Sequence, residues 1–249
     1  MGMIQTVLVT GAAGFLGRHL VEGLTRSFGV RTLDPHPLSS GEHYQGSVTD
    51  RALLDRALEG VDAIVMAHMA PNKPGVYDEV ALPFEVNVTG TTLLYEAAVR
   101  HGIRRVVLIS SLSVIQAAER EGKYLSSAVP LMPVSLYSLT KALQEQIAQY
   151  YYRKHGIATA ALRPAYICLD EGRLVDKYGR QPQTVNWLFI DPRDIATAAA
   201  AALRLPDLGF EPFVLVAGPD AGKHADVATV RNRLGWAPRY TFEDYPREP

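Results

Sequence analysis

A tyrosine four residues ahead of a lysine can move protons: the phenol gives or takes one, and a neighbouring ammonium steadies the phenolate. The stretch SLYSLTKALQEQ holds such a pair in Tyr137 and Lys141, and Tyr150 and Lys154 repeat the spacing further on. Residues at i and i+4 share a helix face whatever they do, so spacing alone does not separate the two pairs. The thirteen positions between the tyrosines turn a helix by roughly 220°, which points the pairs to nearly opposite sides. At most one of them faces a given site. A free phenol titrates at about 10, and proton transfer near neutrality needs a shift of about three units, roughly 4 kcal/mol. One cation seldom supplies that much at a partly exposed site, so the chemistry calls for a second positive charge.

Such a charge has a natural source. Within VLVTGAAGFLGRHL the residues Gly11, Gly14 and Gly17 follow an apolar run with G-x-x-G-x-x-G spacing. Gly11 allows a tight turn, Gly14 lets a pyrophosphate approach the backbone, and Gly17 lets the next helix pack closely on its strand. The N–H groups at that helix start face the anion, assisted by the helix dipole. Asp34 closes the second apolar run in VRTLDPHP. A carboxylate there accepts both hydroxyls of an adenosine ribose and repels a 2′-phosphate, which favours NAD over NADP. Arg18 and Arg31 stand close enough in sequence to temper that preference.

The elements that must position these groups can be read from periodicity. TVLVTG, VRTLD, VDAIVMAHMA, RVVLISSLSV, ATAALRPAYIC and FVLVAG are short apolar runs suited to strands. Between them GFLGRHLVEGLTRSFG, RALLDRALEG, FEVNVTGTTLLYEAAVRHG, VSLYSLTKALQEQIAQYYYRKHG and DPRDIATAAAAALRLP repeat apolar residues at helical intervals. Alternation of this kind predicts an α/β fold: a doubly wound parallel sheet, with ligands beyond the carboxyl ends of its strands. Regularity lapses between Asp170 and Thr184, and the tail from His224 is mixed.

Composition excludes several functions. With 47% hydrophobic and 20% charged residues and a net charge of −1, nothing is basic enough to hold a nucleic acid backbone. The longest apolar stretches fall short of the ~20 residues that span a bilayer, so no membrane partner is expected. A lone cysteine, Cys168, excludes an internal disulfide and a cysteine-based zinc site, and in AYICL it reads as a small core residue. No metal is expected, and a reducing cytoplasm is the natural compartment.

Taken in order, TGAAGFLG, the Asp34 position, NVTGT, ISSLSV, YSLTK, LRP and LGWAPRYTFEDY resemble the extended short-chain dehydrogenases/reductases, the NAD-dependent epimerase/dehydratase family. The resemblance covers nearly the whole chain and implies one NAD-binding Rossmann-like domain over 1–249, whose small substrate-binding part comes mainly from about 166–190 and 218–249. It implies Tyr137 and Lys141 as the catalytic pair and Ser111 as their partner, with Ser113 in reserve because alternate strand residues share a face. The cofactor contacts it implies are Gly11, Ala13, Gly14, Phe15, Leu16, Gly17, Asp34, Ser47, Val48, Ala67, His68, Asn87, Ile109, Tyr137, Lys141 and Pro164. Ser111, Ser113, Tyr137, Pro71 and Arg180 would meet a small-molecule substrate, and a homodimer paired through the NVTGT and YSLTK helices is expected.

Some positions depart from the pattern. Ser47 replaces an aspartate that commonly contacts adenine, His68 replaces a small residue, and Ala165 removes a polar substrate contact. Only about 30 residues separate LRP from DPRDI, too few for the subdomain that holds a nucleotide sugar. The compact layout, with TVNWLF and LGWAP, is similar to uronate dehydrogenases, which oxidise a free sugar acid at its anomeric carbon. Leu112 stands where those enzymes carry asparagine, so the substrate stays open. The expected activity is NAD-dependent oxidation or reduction of a small polar, sugar-derived compound, with an epimerase or dehydratase as the alternative and a non-catalytic cofactor sensor as the second. Arg173 and Arg180 in the polar loop, and the 70–80 loop, are the expected pocket walls.

Overall fold

The computed structural model of the chain describes residues 3–39, 41–71 and 75–248. In chain order, β1 (Thr6–Thr10) leads through the glycine turn into α1 (Phe15–Thr25), followed by β2 (Gly29–Asp34), β3 (Glu42–Gln45), α2 (Arg51–Leu58) and β4 (Ala63–Met66). A short α3 (Ala81–Pro83) runs through a π-helical stretch, Phe84–Thr89, into α4 (Gly90–Arg100). Next come β5 (Arg105–Ile109), a 3₁₀ turn at Leu112–Ile115, α5 (Gln116–Arg120), the long α6 (Leu136–His155) and β6 (Ala158–Pro164). The chain ends with β7 (Tyr166–Asp170), β8 (Leu174–Asp176), β9 (Phe189–Ile190), α7 (Pro192–Arg204), β10 (Phe210–Leu215), α8 (Ala221–His224) and α9 (Val227–Leu234).

Seven strands form a parallel sheet in the order β10, β6, β5, β4, β1, β2, β3. Every residue of β4, β5 and β6 is buried, as continuous apolar strands require when helices cover both faces. α1 packs with α7 on one face, and α2, α4 and α6 pack in a row on the other. Winding proceeds outward from β1 to β3, then resumes at β4 on the other side of β1. Ligands of such sheets sit at that reversal, at the carboxyl ends of the strands. This is the doubly wound fold expected from the sequence.

Several elements differ from that expectation. Glu42–Gln45 is polar and partly exposed, yet it forms edge strand β3 against β2. The run RVVLISSLSV stops being a strand at Ile109 and turns into the 3₁₀ segment. ATAALRPAYIC breaks at Ala165: β6 belongs to the large sheet, while β7 joins a separate small sheet with β8 antiparallel and β9 parallel to it. The irregular stretch after Asp170 thus contains a strand, β8, whose turn carries polar side chains toward the site. Cys168 is fully buried in β7, and burial pushes its thiol up to about 12, as fits a core residue.

Candidate active site

Ser135 caps α6, its hydroxyl accepting from the Ser138 N–H at 3.1 Å, while the Ser138 hydroxyl accepts from the Ser135 N–H at 2.9 Å. This reciprocal box fixes the first turn, and so the direction of Tyr137. One turn on, Lys141 is only 2% exposed and donates from Nζ to the carbonyl of Ile109, 2.9 Å away, at the end of β5. The other pair settles elsewhere: Tyr150 is 46% exposed, and Lys154 donates to its hydroxyl at 2.8 Å on the outer side of the helix.

The serines sort themselves by partner. Ser110 donates to Glu145 Oε1 at 2.5 Å, inside a buried pair in which Arg163 grips both Glu145 oxygens at 2.9 and 2.7 Å. Ser111 follows the strand, and its Oγ accepts from both the N–H (3.2 Å) and the hydroxyl (2.9 Å) of Ser113. That leaves the Ser111 proton uncommitted on the side of the Tyr137 phenol, whose titration the Ser111 hydroxyl lowers. Ser113 therefore supports Ser111 from within a 3₁₀ turn, and not from alternate places on one strand.

Charge around the phenol runs opposite to the simplest expectation. Burial raises Tyr137 to about 12, only partly offset by the Ser111 hydrogen bond. Burial, and then repulsion from Lys177, pull Lys141 down to about 7, against the pull of Glu145. Lys141 therefore does not by itself ready the phenol, and the second positive charge is needed. Lys177 was not foreseen: it lies 36 residues beyond Lys141 in the polar loop, yet its Nζ sits 5.9 Å from the centroid of the Tyr137 ring. Tyr77 packs edge-on to the same ring, centroids 5.3 Å apart.

The cofactor residues expected from the sequence gather at the carboxyl ends of the strands. Gly11 adopts φ +70°, and a Cβ there would lie 2.7 Å from the Ala67 carbonyl. A Cβ on Gly17 would lie 2.0 Å from the Gly11 oxygen. Neither position admits a side chain. Gly14 precedes α1 with no side-chain cap, and no acid stands in the first turn, so the amides around Phe15 and Leu16 face no competing carboxylate of the helix. Asp34 ends β2, nearly buried, and accepts from Ala13 N at 3.1 Å and from His36 N and Nδ1 at 2.9 and 3.0 Å. Its two oxygens retain acceptor capacity for ribose hydroxyls. Val48 packs on Gly90, whose absent Cβ would meet it at 2.5 Å. Ser47 shapes the turn before α2 through Thr49, 2.8 Å away. Ala67, Ile109 and Pro164 lie at the ends of β4, β5 and β6. This cradle suits a dinucleotide, with uncapped amides for phosphate and a carboxylate for ribose.

Two residues expected at the cofactor have side chains engaged by the protein itself. His68 is buried and neutral, lowered to about 3 by burial, with Nδ1 at 2.9 Å from Thr10 Oγ1 and Nε2 at 3.2 Å from Thr91 Oγ1. Both ring nitrogens are committed, so only its backbone can meet a cofactor. Asn87, fully buried in the π-helical stretch, accepts from Ala70 N at 2.7 Å and donates to Thr140 Oγ1 and the Tyr77 hydroxyl at 2.9 and 3.2 Å. It ties the loop after β4 to α6 instead of touching a ligand with its side chain. Arg31 is likewise engaged, by Glu42 at 2.7 Å and by the carbonyls of Ala57 and Glu59. Arg180 pairs with Asp176 at 2.6 Å at the outer rim and stacks on Tyr178. Arg173 and Pro71 are exposed, and residues 72–74 of the expected pocket wall lie outside the described residues.

A doubly wound sheet with a glycine-turn phosphate cradle and a Ser, Tyr and Lys cluster at its strand ends defines a dinucleotide-dependent oxidoreductase class. The chain belongs to the NAD dependent epimerase/dehydratase family, matched over residues 7–177. Uronate dehydrogenase of Pseudomonas syringae pv. tomato is 34% identical over 213 residues, 82% of this chain and 71% of that protein. L-arabinose 1-dehydrogenase (NAD(P)(+)) of Haloferax volcanii is 28% identical over 94% of this chain and 96% of its own length. Among solved structures, a tyrosine mutant of uronate dehydrogenase from Agrobacterium tumefaciens, complexed with NAD, superposes with a TM-score of 0.79 at 27% identity, covering 99% of this chain and 92% of that one.

Proposed function

We propose that the chain is an NAD-dependent dehydrogenase that oxidises a hydroxyl of a small sugar-derived substrate, with Tyr137 as proton acceptor. The carrying observation is the convergence of the Ser111 hydroxyl and the buried Lys141 amine on the Tyr137 turn of α6, beside the end of β5. The relatives' activities on uronate and arabinose support the substrate class. Bound in the cradle, the oxidised dinucleotide supplies the hydride acceptor and a positive charge near the phenol. Tyr137 takes the hydroxyl proton as the C–H bond breaks. Ser111 donates to the same substrate oxygen and holds it in line. Lys141, anchored on the Ile109 carbonyl, offers its remaining N–H groups to the nicotinamide ribose and favours the phenolate when charged. Asp34 selects NAD over NADP, and Arg31 is too engaged to receive a 2′-phosphate.

The substrate part is built mainly from about 166–190 and 218–249, around β7, β8, β9 and the C-terminal tail. By family resemblance we expect a cytoplasmic homodimer paired through α4 and α6, where Tyr150 and Tyr152 are exposed; sedimentation of the purified chain checks the oligomeric state. No helix among the described residues is long and apolar enough to cross a membrane.

The direct test is absorbance of reduced nicotinamide during a screen of free sugars, uronates and hydroxy acids with NAD. Net NADH should accumulate with at least one of them. Converted product without net NADH would mean an epimerase, and no turnover of any compound by NAD-loaded protein would sink the reading. Tyr137→Phe should cut turnover by about 10²–10⁴-fold, the usual worth of a general base, while binding of NAD measured by fluorescence persists.

A further inference from the structure

Lys177 occupies an unusual position for a lysine. It stands in the turn after β8, which closes on itself through Asp176 N to Arg180 O at 3.0 Å and Gly179 N to Asp176 O at 2.9 Å. The carboxylate next to it, Asp176, is 1% exposed and fully subscribed: it accepts from Tyr166 Oη at 2.7 Å, Arg180 Nε at 2.6 Å, and the N–H groups of Tyr178 and Arg180 at 2.8 and 2.9 Å. Arg180 takes the charge of Asp176, and among the described residues no carboxylate forms an ion pair with Lys177. The Lys177 ammonium instead sits over two rings, 5.9 Å from the centroid of Tyr137 and 5.1 Å from that of Tyr178.

We propose that Lys177 is a specificity-determining residue of this site: its unpaired ammonium, poised over the proton-accepting tyrosine, receives a carboxylate or phosphate carried by the substrate. The proposal rests on the dehydrogenase reading above, since it places the anion beside the hydroxyl that reacts. The groups facing Lys177 are Asp176 and Arg180 from its own turn, and Tyr137 and Lys141 from α6, with Glu145 and His68 behind Lys141. Only Asp176 and Glu145 are anionic, and both are held by arginines. An incoming anion therefore finds the Lys177 ammonium, with the one nearby carboxylate, Asp176, already held by Arg180, and beside it the Lys141 amine whose protonation it favours.

The electrostatics agree with the geometry. Lys177 is exposed as a residue, but its amine end, lying over the rings of Tyr137 and Tyr178, is shielded enough from water to lower it below the ordinary lysine range, and its charge helps to pull Lys141 down. A partly desolvated ammonium without a counter-ion gains more from an arriving anion than a solvated one does. Pairing also relieves the repulsion on Lys141, so the substrate that binds well is the one that lets Lys141 hold its proton beside Tyr137. An uncharged sugar would bring neither effect.

The test is calorimetric titration of the NADH-loaded protein with D-glucuronate, D-galacturonate, D-glucose 6-phosphate, D-glucose and D-galactose, for the native chain, Lys177→Gln and Lys177→Arg. The native chain should bind at least one anionic probe about tenfold or more tighter than its neutral parent, the worth of one charge-assisted hydrogen bond. A carboxylate source is distinguished from a phosphate source by which probe shows that preference. In Lys177→Gln the preference should fall toward unity, in Lys177→Arg it should largely return, and Lys154→Gln on the outer side of α6 should leave it in place. Equal binding of acid and neutral probes by the native chain, no binding of any anionic probe, or an undiminished preference in Lys177→Gln overturns the assignment. NADH formation in the same panel reads the dehydrogenase activity separately: turnover of a neutral sugar with no acid preference would remove Lys177 from recognition and leave the activity standing.

Discussion

Keeping the Lys141 amine in the interior opposes folding, and the amount can be gauged. An unfolded lysine takes up its proton below about 10.5, whereas the folded one does so only below about 7. Between those values the unfolded chain binds the extra proton, so stability contributed by this group rises with pH through that window and is at its lowest below pH 7. At pH 8 the penalty is on the order of 3 kcal/mol, offset by about 1 kcal/mol for the hydrogen bond to Ile109. Lys141→Met should therefore make the cofactor-free protein more stable by about 1–3 kcal/mol at pH 7 to 8, with the gain shrinking as pH approaches 10. Urea unfolding at a series of pH values reads this directly. A variant less stable than the native chain at pH 7 would show that the amine is not held against its preference. The same variant should lose turnover, since the charge that favours a Tyr137 phenolate is gone.

At the scale of elements, the π-helical stretch is the part of the site with least warning in the sequence. FEVNVTGTT has ordinary helical periodicity, and nothing in it signals that the backbone widens so that Asn87 reaches Ala70, Tyr77 and Thr140 at once. Asn87→Ala strands a buried N–H and frees Tyr77 from one of its holders, which should cost about 2–4 kcal/mol. A thermal melt unchanged within about 1 °C, where such a loss shifts a chain of this size by several degrees, would refute that account. Other elements were legible because their cause is local. The glycine turn announces itself through its G-x-x-G-x-x-G spacing after an apolar run, the acid at the end of β2 through its place after the next one, and α6 through apolar residues at helical intervals. What stayed hidden depends on distant partners. β3 is polar because it forms an edge, β7 leaves the sheet at Ala165, and Lys177 reaches Tyr137 only because β8 folds back on β7. Of the site itself, spacing left two Tyr–Lys pairs open and the family resemblance singled out Tyr137, Lys141 and Ser111, but the direction of their charge effects was not legible, because burial and Lys177 decide it.

Over the whole molecule, the start of α7 joins β7 and the C-terminal tail, the part proposed to meet the substrate, to the helix layer on the large sheet. Asp191 caps the helix by accepting from Arg193 N at 2.8 Å and also holds Asp170 N at 3.0 Å, at the end of β7. One turn later Asp194, 2% exposed, accepts from the N–H groups of Arg239 and Tyr240, each at 2.9 Å. Trp236 donates to Thr197 at 2.8 Å, Tyr245 to Asp170 at 2.5 Å, and the backbone of Val185 exchanges bonds with Pro246 and Glu248. The C-terminal tail is thus laid along α7 and beside Val185, ahead of β9, by a few partly buried polar contacts, while β1, α1 and β2, proposed to cradle the dinucleotide, lie on the other half of the sheet. Asp194→Asn replaces one acceptor oxygen with an N–H₂ group facing a backbone donor, so one of the two tail contacts becomes repulsive. The expected outcome is faster hydrogen exchange over residues 236–248 and a KM for the oxidised substrate raised several-fold, with NAD affinity held because the tail's hydrogen bonds named above reach α7, Asp170 and Val185 and not the glycine turn or Asp34. Equal exchange in native and variant tails would mean that Asp194 does not dock them. A parallel loss of NAD affinity would mean that the two halves fold as one cooperative unit, and that the tail cannot be separated from the cofactor site.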